Sequence, residues 1–280
     1  MIAPRGQNFG IIHVMGPLER LGRFTTRKSA EIGDHVAFLG EAFCELVALP
    51  FHPGRFRVGD CALAFERAAF DGLAVTSGVG FLLGVILAFQ CAAALQMFAV
   101  EVYVSDMLAI ALFRELGPII TAIMLAGRTG SAFAAEIGTM KVDEELDALS
   151  TMGLPPVRFL VMPRVVAAVL AMPVLTIFAE LAGLIGGAIV LSAMRIPTEV
   201  YWAHVKGITT VGMILFGLGK AMFFGMLVGL IGCSAGIRTK STADGVGTAA
   251  TSAVVGSIVA IAVSDGVIAV ILYVWGMMGI

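Results

Sequence analysis

Gly72-Leu-Ala-Val-Thr-Ser-Gly-Val-Gly-Phe-Leu-Leu-Gly-Val-Ile-Leu-Ala-Phe-Gln-Cys-Ala-Ala-Ala-Leu-Gln-Met-Phe-Ala-Val100 runs without a charged side chain. A helix needs about 20 mostly apolar residues to span the hydrocarbon of a bilayer, so this stretch is long enough to cross with tilt. The rest of the chain shares its character. Of 280 residues, 59% are hydrophobic and 14% charged, and the mean hydropathy is +0.97. A soluble domain averages about 45–50% apolar and about 25% charged. That excess cannot be buried in one globular core, so lipid is the solvent for much of the chain. The net charge is −2, with no basic run and no zinc-type Cys/His spacing, which argues against a nucleic-acid binder. Cys44, Cys61, Cys91 and Cys233 lie far apart and read as small hydrophobes, with no disulfide frame and no metal site.

Outward from this stretch, four more spans follow. They run from about Met107 to Ile137, interrupted by Arg114, Glu115 and Arg128; from Val165 to Ala193, with Glu180; from Gly207 to Cys233, with Lys220; and from Val246 to Trp275, with Asp265. The predicted fold class is an all-α integral membrane protein with five transmembrane helices. Arg55, Arg57, Arg67, Lys141, Arg158, Arg164, Arg238 and Lys240 fall on one side of these spans, and only Arg195 and Lys206 on the other. The positive-inside rule then places the N-terminus in the cytoplasm and the C-terminus outside.

Upstream of residue 70 there is no span. Residues 1–30 are read as a partly disordered extension, and their lack of a continuous apolar core excludes a signal peptide. From Asp34 to Leu49, Val36, Leu39, Phe43, Leu46 and Val47 recur at helical spacing, and Pro50 and Pro53 close the pattern. It fits an interfacial amphipathic helix within a 31–70 elbow segment, or a soluble helix packed on a partner. Residues 71–280 form the membrane domain. Within it Gly80/Gly84, Gly183/Gly187, Gly225/Gly229 and Gly232/Gly236 have the small-xxx-small spacing that lets helix backbones approach. Together they predict a tightly packed bundle.

Two features rise above the apolar background. Between spans two and three lies Lys141-Val-Asp-Glu-Glu-Leu-Asp-Ala-Leu-Ser-Thr-Met-Gly153, followed by Leu154-Pro155-Pro156. Val142, Leu146 and Leu149 fall on one helical face and Asp143, Glu144 and Asp147 on another. Gly153 is placed to end the helix. A short amphipathic helix here suits docking to a soluble partner; a solvated acidic loop has the same pattern. The second feature is Arg114, Glu115, Lys220 and Asp265, charges at membrane depth that sum to zero and come from three spans. Such groups pair or line a wet cavity, so a compensated ionic cluster tying spans two, four and five together is expected. A proton relay would use the same residues. P-loop and H-E-x-x-H motifs are missing, so any ATP must be bound by another subunit.

Arg114-Glu-Leu-Gly-Pro118, Ala126-Gly-Arg-Thr-Gly-Ser131, Ala135-Glu-Ile-Gly-Thr-Met-Lys141 and Met162-Pro-Arg164 occur in order, followed by Gly219-Lys220, Phe224-Gly225, Asp244-Gly-Val-Gly247 and Ala253-Val-Val255. Over roughly residues 70 to 275 this series resembles the MlaE/YrbE permeases, the membrane subunits of MCE-type ABC lipid transporters. Ser241-Thr242 stand where many members carry two glycines. The resemblance implies a homodimeric, non-catalytic permease in a bacterial inner membrane that encloses a phospholipid pocket. It also implies a cytoplasmic ATPase holding ATP and Mg, a STAS-domain companion and a periplasmic MCE-domain hexamer, with no cofactor in this chain. Val142, Glu144, Glu145, Leu146, Asp147 and Leu149 match the family's coupling helix, and residues 34–49 its interfacial helix. The first span lines the lipid cavity in the family. Leu87, Ala94, Leu95 and Phe98 form one stripe at i, i+7, i+8 and i+11, with Gln90 the uncharged polar side chain deep beside them. The stripe equally suits packing in the bundle or facing bilayer lipid. From the residues alone, an ion-coupled secondary transporter using the buried charges stays open beside the ATP-driven permease.

Overall fold

The computed structural model describes residues 57–98 and 100–274, together with Gly33, Ala37, Phe38, Gly40, Glu41, Ala42, Cys44 and Glu45, which are helical. Val36, Leu39, Phe43, Leu46 and Val47, the apolar pattern of the expected 34–49 interfacial helix, and the 1–30 extension lie outside the described residues. Five helices are long and apolar enough to cross a membrane. They are α1 (Val58–Gln96), α2 (Glu101–Val142), α4 (Val157–Ala193), α6 (Val211–Ile237) and α7 (Ala243–Val274). Two short helices lie between them, α3 (Glu145–Thr151) and α5 (Thr198–Ile208).

The first spanning helix starts at Val58, well before the Gly72 expected from hydropathy. Asp60, Glu66, Arg67 and Asp71 lower hydropathy without breaking a helix, and several are charge-paired. Arg57 meets Asp60 at 2.6 Å, Arg67 meets Glu136 at 3.5 Å and Arg128 meets Asp71 at 3.3 Å. At 39 residues, α1 is about 58 Å long, nearly twice a hydrocarbon core of ~30 Å. Span two likewise extends beyond its expected ends and is not uniform. A 3₁₀ turn (Glu101–Tyr103) opens it, and π-helical segments occupy Leu112–Leu116 and Ala126–Gly130. Span four begins at Val211, and the residues before it form the separate helix α5.

The most extensive packing is α1 against α4. Buried residues of α1 recur at every fourth position, from Gly72 through Thr76, Gly80, Gly84 and Ala88 to Ala92. All are small, so the stripe forms a shallow groove that takes a neighbouring backbone. A Cβ at Gly80 would stand 2.8 Å from Ala179 Cα, one at Gly84 would overlap the Gly183 backbone, and one at Gly186 would lie 2.5 Å from the Phe81 carbonyl oxygen. The other glycine pairs serve further crossings. Gly225 and Gly229 face Ala168, Met172 and Val165 of α4, while Gly232 and Gly236 face Gly130, Ala134 and Ile137 of α2. Helix α7 packs on α2 and α6. At the end remote from α3, Val104, Leu108, Leu112, Leu184, Leu191 and Tyr201 centre a buried cluster. There the Tyr201 hydroxyl donates to the Leu184 carbonyl at 2.9 Å, and burial pushes its phenol pKa up.

Candidate functional site: a buried ionic junction and an exposed helix

Lys220 lies midway along α6, with only 1% of its side chain exposed. Its ammonium donates to Glu115 of α2, lies 2.5 Å from Asp265 Oδ1 of α7, and is 3.5 Å from the Arg114 carbonyl oxygen. One cation thus joins three spanning helices. The local backbone explains how. Glu115 sits in the π-helical segment Leu112–Leu116, where one residue more per turn re-aims side chains, as π-bulges at functional sites do. Gly217 lies one turn before Lys220, and any Cβ there would overlap the Phe113 carbonyl oxygen. Its missing side chain lets α6 meet α2 at the bulge. On the other side of the bulge, Gly117 makes room for Glu180 of α4, whose Oε1 would stand 2.6 Å from a Cβ at that position. Glu180 is 2% exposed. Sequence reasoning placed Glu180 apart from this cluster and found neither glycine, because glycine carries no chemical signal until a neighbouring backbone reaches it.

The helix between α2 and α4 differs in its bounds from the expected Val142–Ser150 segment. Val142 is the last residue of α2, and Asp143-Glu144 form a tight link in which Glu144 takes a left-handed conformation (φ 61°). Helix α3 then covers Glu145–Thr151. Gly153 stops it at φ 74°, with Leu154 N–H donating to the Leu149 carbonyl and Gly153 N–H to the Ser150 carbonyl. That pair of bonds is a Schellman cap, which requires the left-handed residue glycine supplies. Leu146 is buried and Leu149 half-buried, while Glu144, Glu145 and Asp147 are exposed. The acidic face of α3 is open to a partner.

The five candidate pocket residues of α1 divide. Leu87 and Leu95 pack, partly buried, against the cluster at the far end. Gln90, Ala94 and Phe98 are exposed along the adjoining face.

Residues 63–271 match the family model described as Permease MlaE. A probable ABC transporter permease protein of Rickettsia typhi is 36% identical over 231 residues, covering 81% of this chain and 86% of that protein. The intermembrane phospholipid transport system permease protein MlaE of Haemophilus influenzae is 36% identical over 169 residues, covering 60% and 65%. The chloroplastic protein TRIGALACTOSYLDIACYLGLYCEROL 1 of Arabidopsis thaliana is 33% identical over 202 residues, covering 72% and 58%. The family match takes in the ionic junction, the exposed acidic helix and all but the outermost residues of the five apolar spans, and the chain belongs to the MlaE permease family.

Proposed function

We propose that this chain is the non-catalytic, membrane-spanning subunit of an ATP-driven phospholipid transporter in a bacterial inner membrane. It works as a homodimer whose two copies enclose a lipid pocket, with the exposed Gln90, Ala94 and Phe98 face of α1 contributing to its wall. A cytoplasmic ATPase that binds ATP and Mg docks on α3, with a STAS-domain companion beside it. A periplasmic MCE-domain hexamer exchanges lipid with the dimer at the end remote from α3, which serves outer-membrane lipid homeostasis. The N-terminus faces the cytoplasm, in line with the basic residues at the α3 end.

The observation that carries this reading is α3. It is a seven-residue helix, held by Leu146 and capped at Gly153, with its acidic residues free. Closure of the ATPases would push such a short, capped helix as a unit and move α2 and α4 with it. Lys220, Glu115 and Asp265 would transmit that motion to α6 and α7. The motion moves lipid only if the two states of the pocket differ in lipid affinity.

Co-purification from the native membrane tests the assignment. The wild-type chain is expected to retain an ATPase, an MCE-domain protein and bound phospholipid. With Glu145→Lys and Asp147→Lys together, it should lose the ATPase and keep its lipid. A wild-type chain recovered without an ATPase, whose transport instead collapses with the proton gradient, would establish the ion-coupled alternative.

A further inference from the structure

At the α3 end, α1, α2 and α4 leave a cavity of about 470 Å³ with Arg67, Arg128 and Arg164 in its lining. A second cavity, of about 230 Å³, is walled by Val75, Ile123, Met124, Leu125 and Leu175. The two share Ala68, Arg128 and Thr129. They therefore form one groove along α1 and α2, charged at its outer end and apolar towards the middle of the bilayer. It lies at the opposite end of α1 from the Gln90–Phe98 face.

The outer end is lined by Arg67, Arg128 and Arg164 together with Asp60, Asp71 and Glu136, and Asp60 also pairs with Arg57 outside the lining at 2.6 Å. Glu136 is shared. Arg164 holds it at 3.0 Å with a side chain 19% exposed, whereas Arg67 reaches it only at 3.5 Å and is 71% exposed. Arg67 is thus held more loosely than Arg164, half-engaged and open to the groove. A guanidinium in that position takes a phosphate oxygen pair well. The apolar extension begins at Arg128, which lies in the π-helical segment Ala126–Gly130 and pairs with Asp71 of α1 at 3.3 Å. A Cβ at Gly127 would meet nothing within 4 Å, so the groove is open there.

We propose that this groove is a second lipid site: it holds a glycerophospholipid from the leaflet at the α3 end, with its phosphate on Arg67 and Arg128 and one acyl chain along Val75, Ile123 and Leu175. The inference rests on the permease reading only in placing these helices in a bilayer. It adds a side-on berth distinct from the pocket enclosed by two copies.

The test uses the full chain in bilayer nanodiscs with phosphatidylglycerol carrying a diazirine on one acyl chain, followed by peptide mapping. Label is expected on residues 72–76 and 123–128. Arg67→Glu, which removes a charge-assisted phosphate contact, should lower it about tenfold, and Gly127→Phe should block the groove to a similar extent. Diacylglycerol with the same chain should not label these residues. Equal labelling by diacylglycerol, or labelling that neither variant reduces, would show ordinary boundary lipid and overturn the proposal. Displacement of the label by glycerol phosphate would overturn it in favour of a soluble phosphate ester. Retention of the ATPase is scored on the same preparation, so an unlabelled groove in an ATPase-bound chain overturns the groove alone.

Discussion

Lys220 shows what a single buried charge demands of its surroundings. An ammonium with 1% of its side chain exposed keeps its charge inside a membrane only if carboxylates come to it. Two do, from different helices, and the Arg114 carbonyl adds a third oxygen. Removing one member of such a group leaves its partners buried and uncompensated, which costs about 3–5 kcal/mol, whereas replacing the whole group is often near neutral. Lys220→Met is therefore expected to lower the thermal midpoint of the purified protein sharply. Adding Glu115→Gln and Asp265→Asn to it should restore most of the loss. A triple variant no more stable than the single one would show that geometry, and not uncompensated charge, is what Lys220 supplies. The charged residues themselves were legible, because a Lys or Asp inside an apolar run stands out at once. Gly217 and Gly117 were not. They matter through the Phe113 carbonyl and the Glu180 side chain, which come near only in the folded bundle.

At the scale of elements, α1 and α4 form the principal packed pair, and their fit rests on side chains that are absent. Gly84→Leu would drive a side chain into the Gly183 backbone, and a destabilisation of about 3 kcal/mol, the upper end of the usual overpacking range, is expected. Gly78 lies on the same helix with nothing within 4 Å of its Cβ position, so Gly78→Leu should leave stability within about 1 kcal/mol. Heat survival of the two variants compared with the native chain checks this, and equal loss would refute the close-approach argument. The end of α4 invites a change of the opposite sign. Arg195 sits at φ 68° in a Schellman cap made by Ile196 N–H to Leu191 and Arg195 N–H to Ser192. A residue with a Cβ is disfavoured there by about 1 kcal/mol. Arg195→Gly should raise the unfolding midpoint correspondingly, and a lowered midpoint would mean the guanidinium has a role the backbone does not reveal.

Over the whole molecule, five apolar spans and the break between α2 and α4 were readable. So was the stop at Gly153, since glycine followed by two prolines ends a helix on local grounds. The π-helical segments of α2 left no trace in periodicity, because an extra residue per turn is chosen by packing and not by propensity. The early start of α1 was hidden by its charged first turns, and the boundary of α3 was displaced by the left-handed Glu144. The stripe on α1 divided between core and surface because an i, i+7, i+8, i+11 series spans a face wide enough for two neighbours. By itself the sequence determined that the chain lives in lipid, where it crosses, and which charges must be compensated, since transfer into hydrocarbon is a property of each residue in turn. Only the tertiary structure decided which helices touch and which carboxylates reach Lys220. Those depend on the rotation and depth at which one helix meets another, set by small residues whose meaning lies in what approaches them.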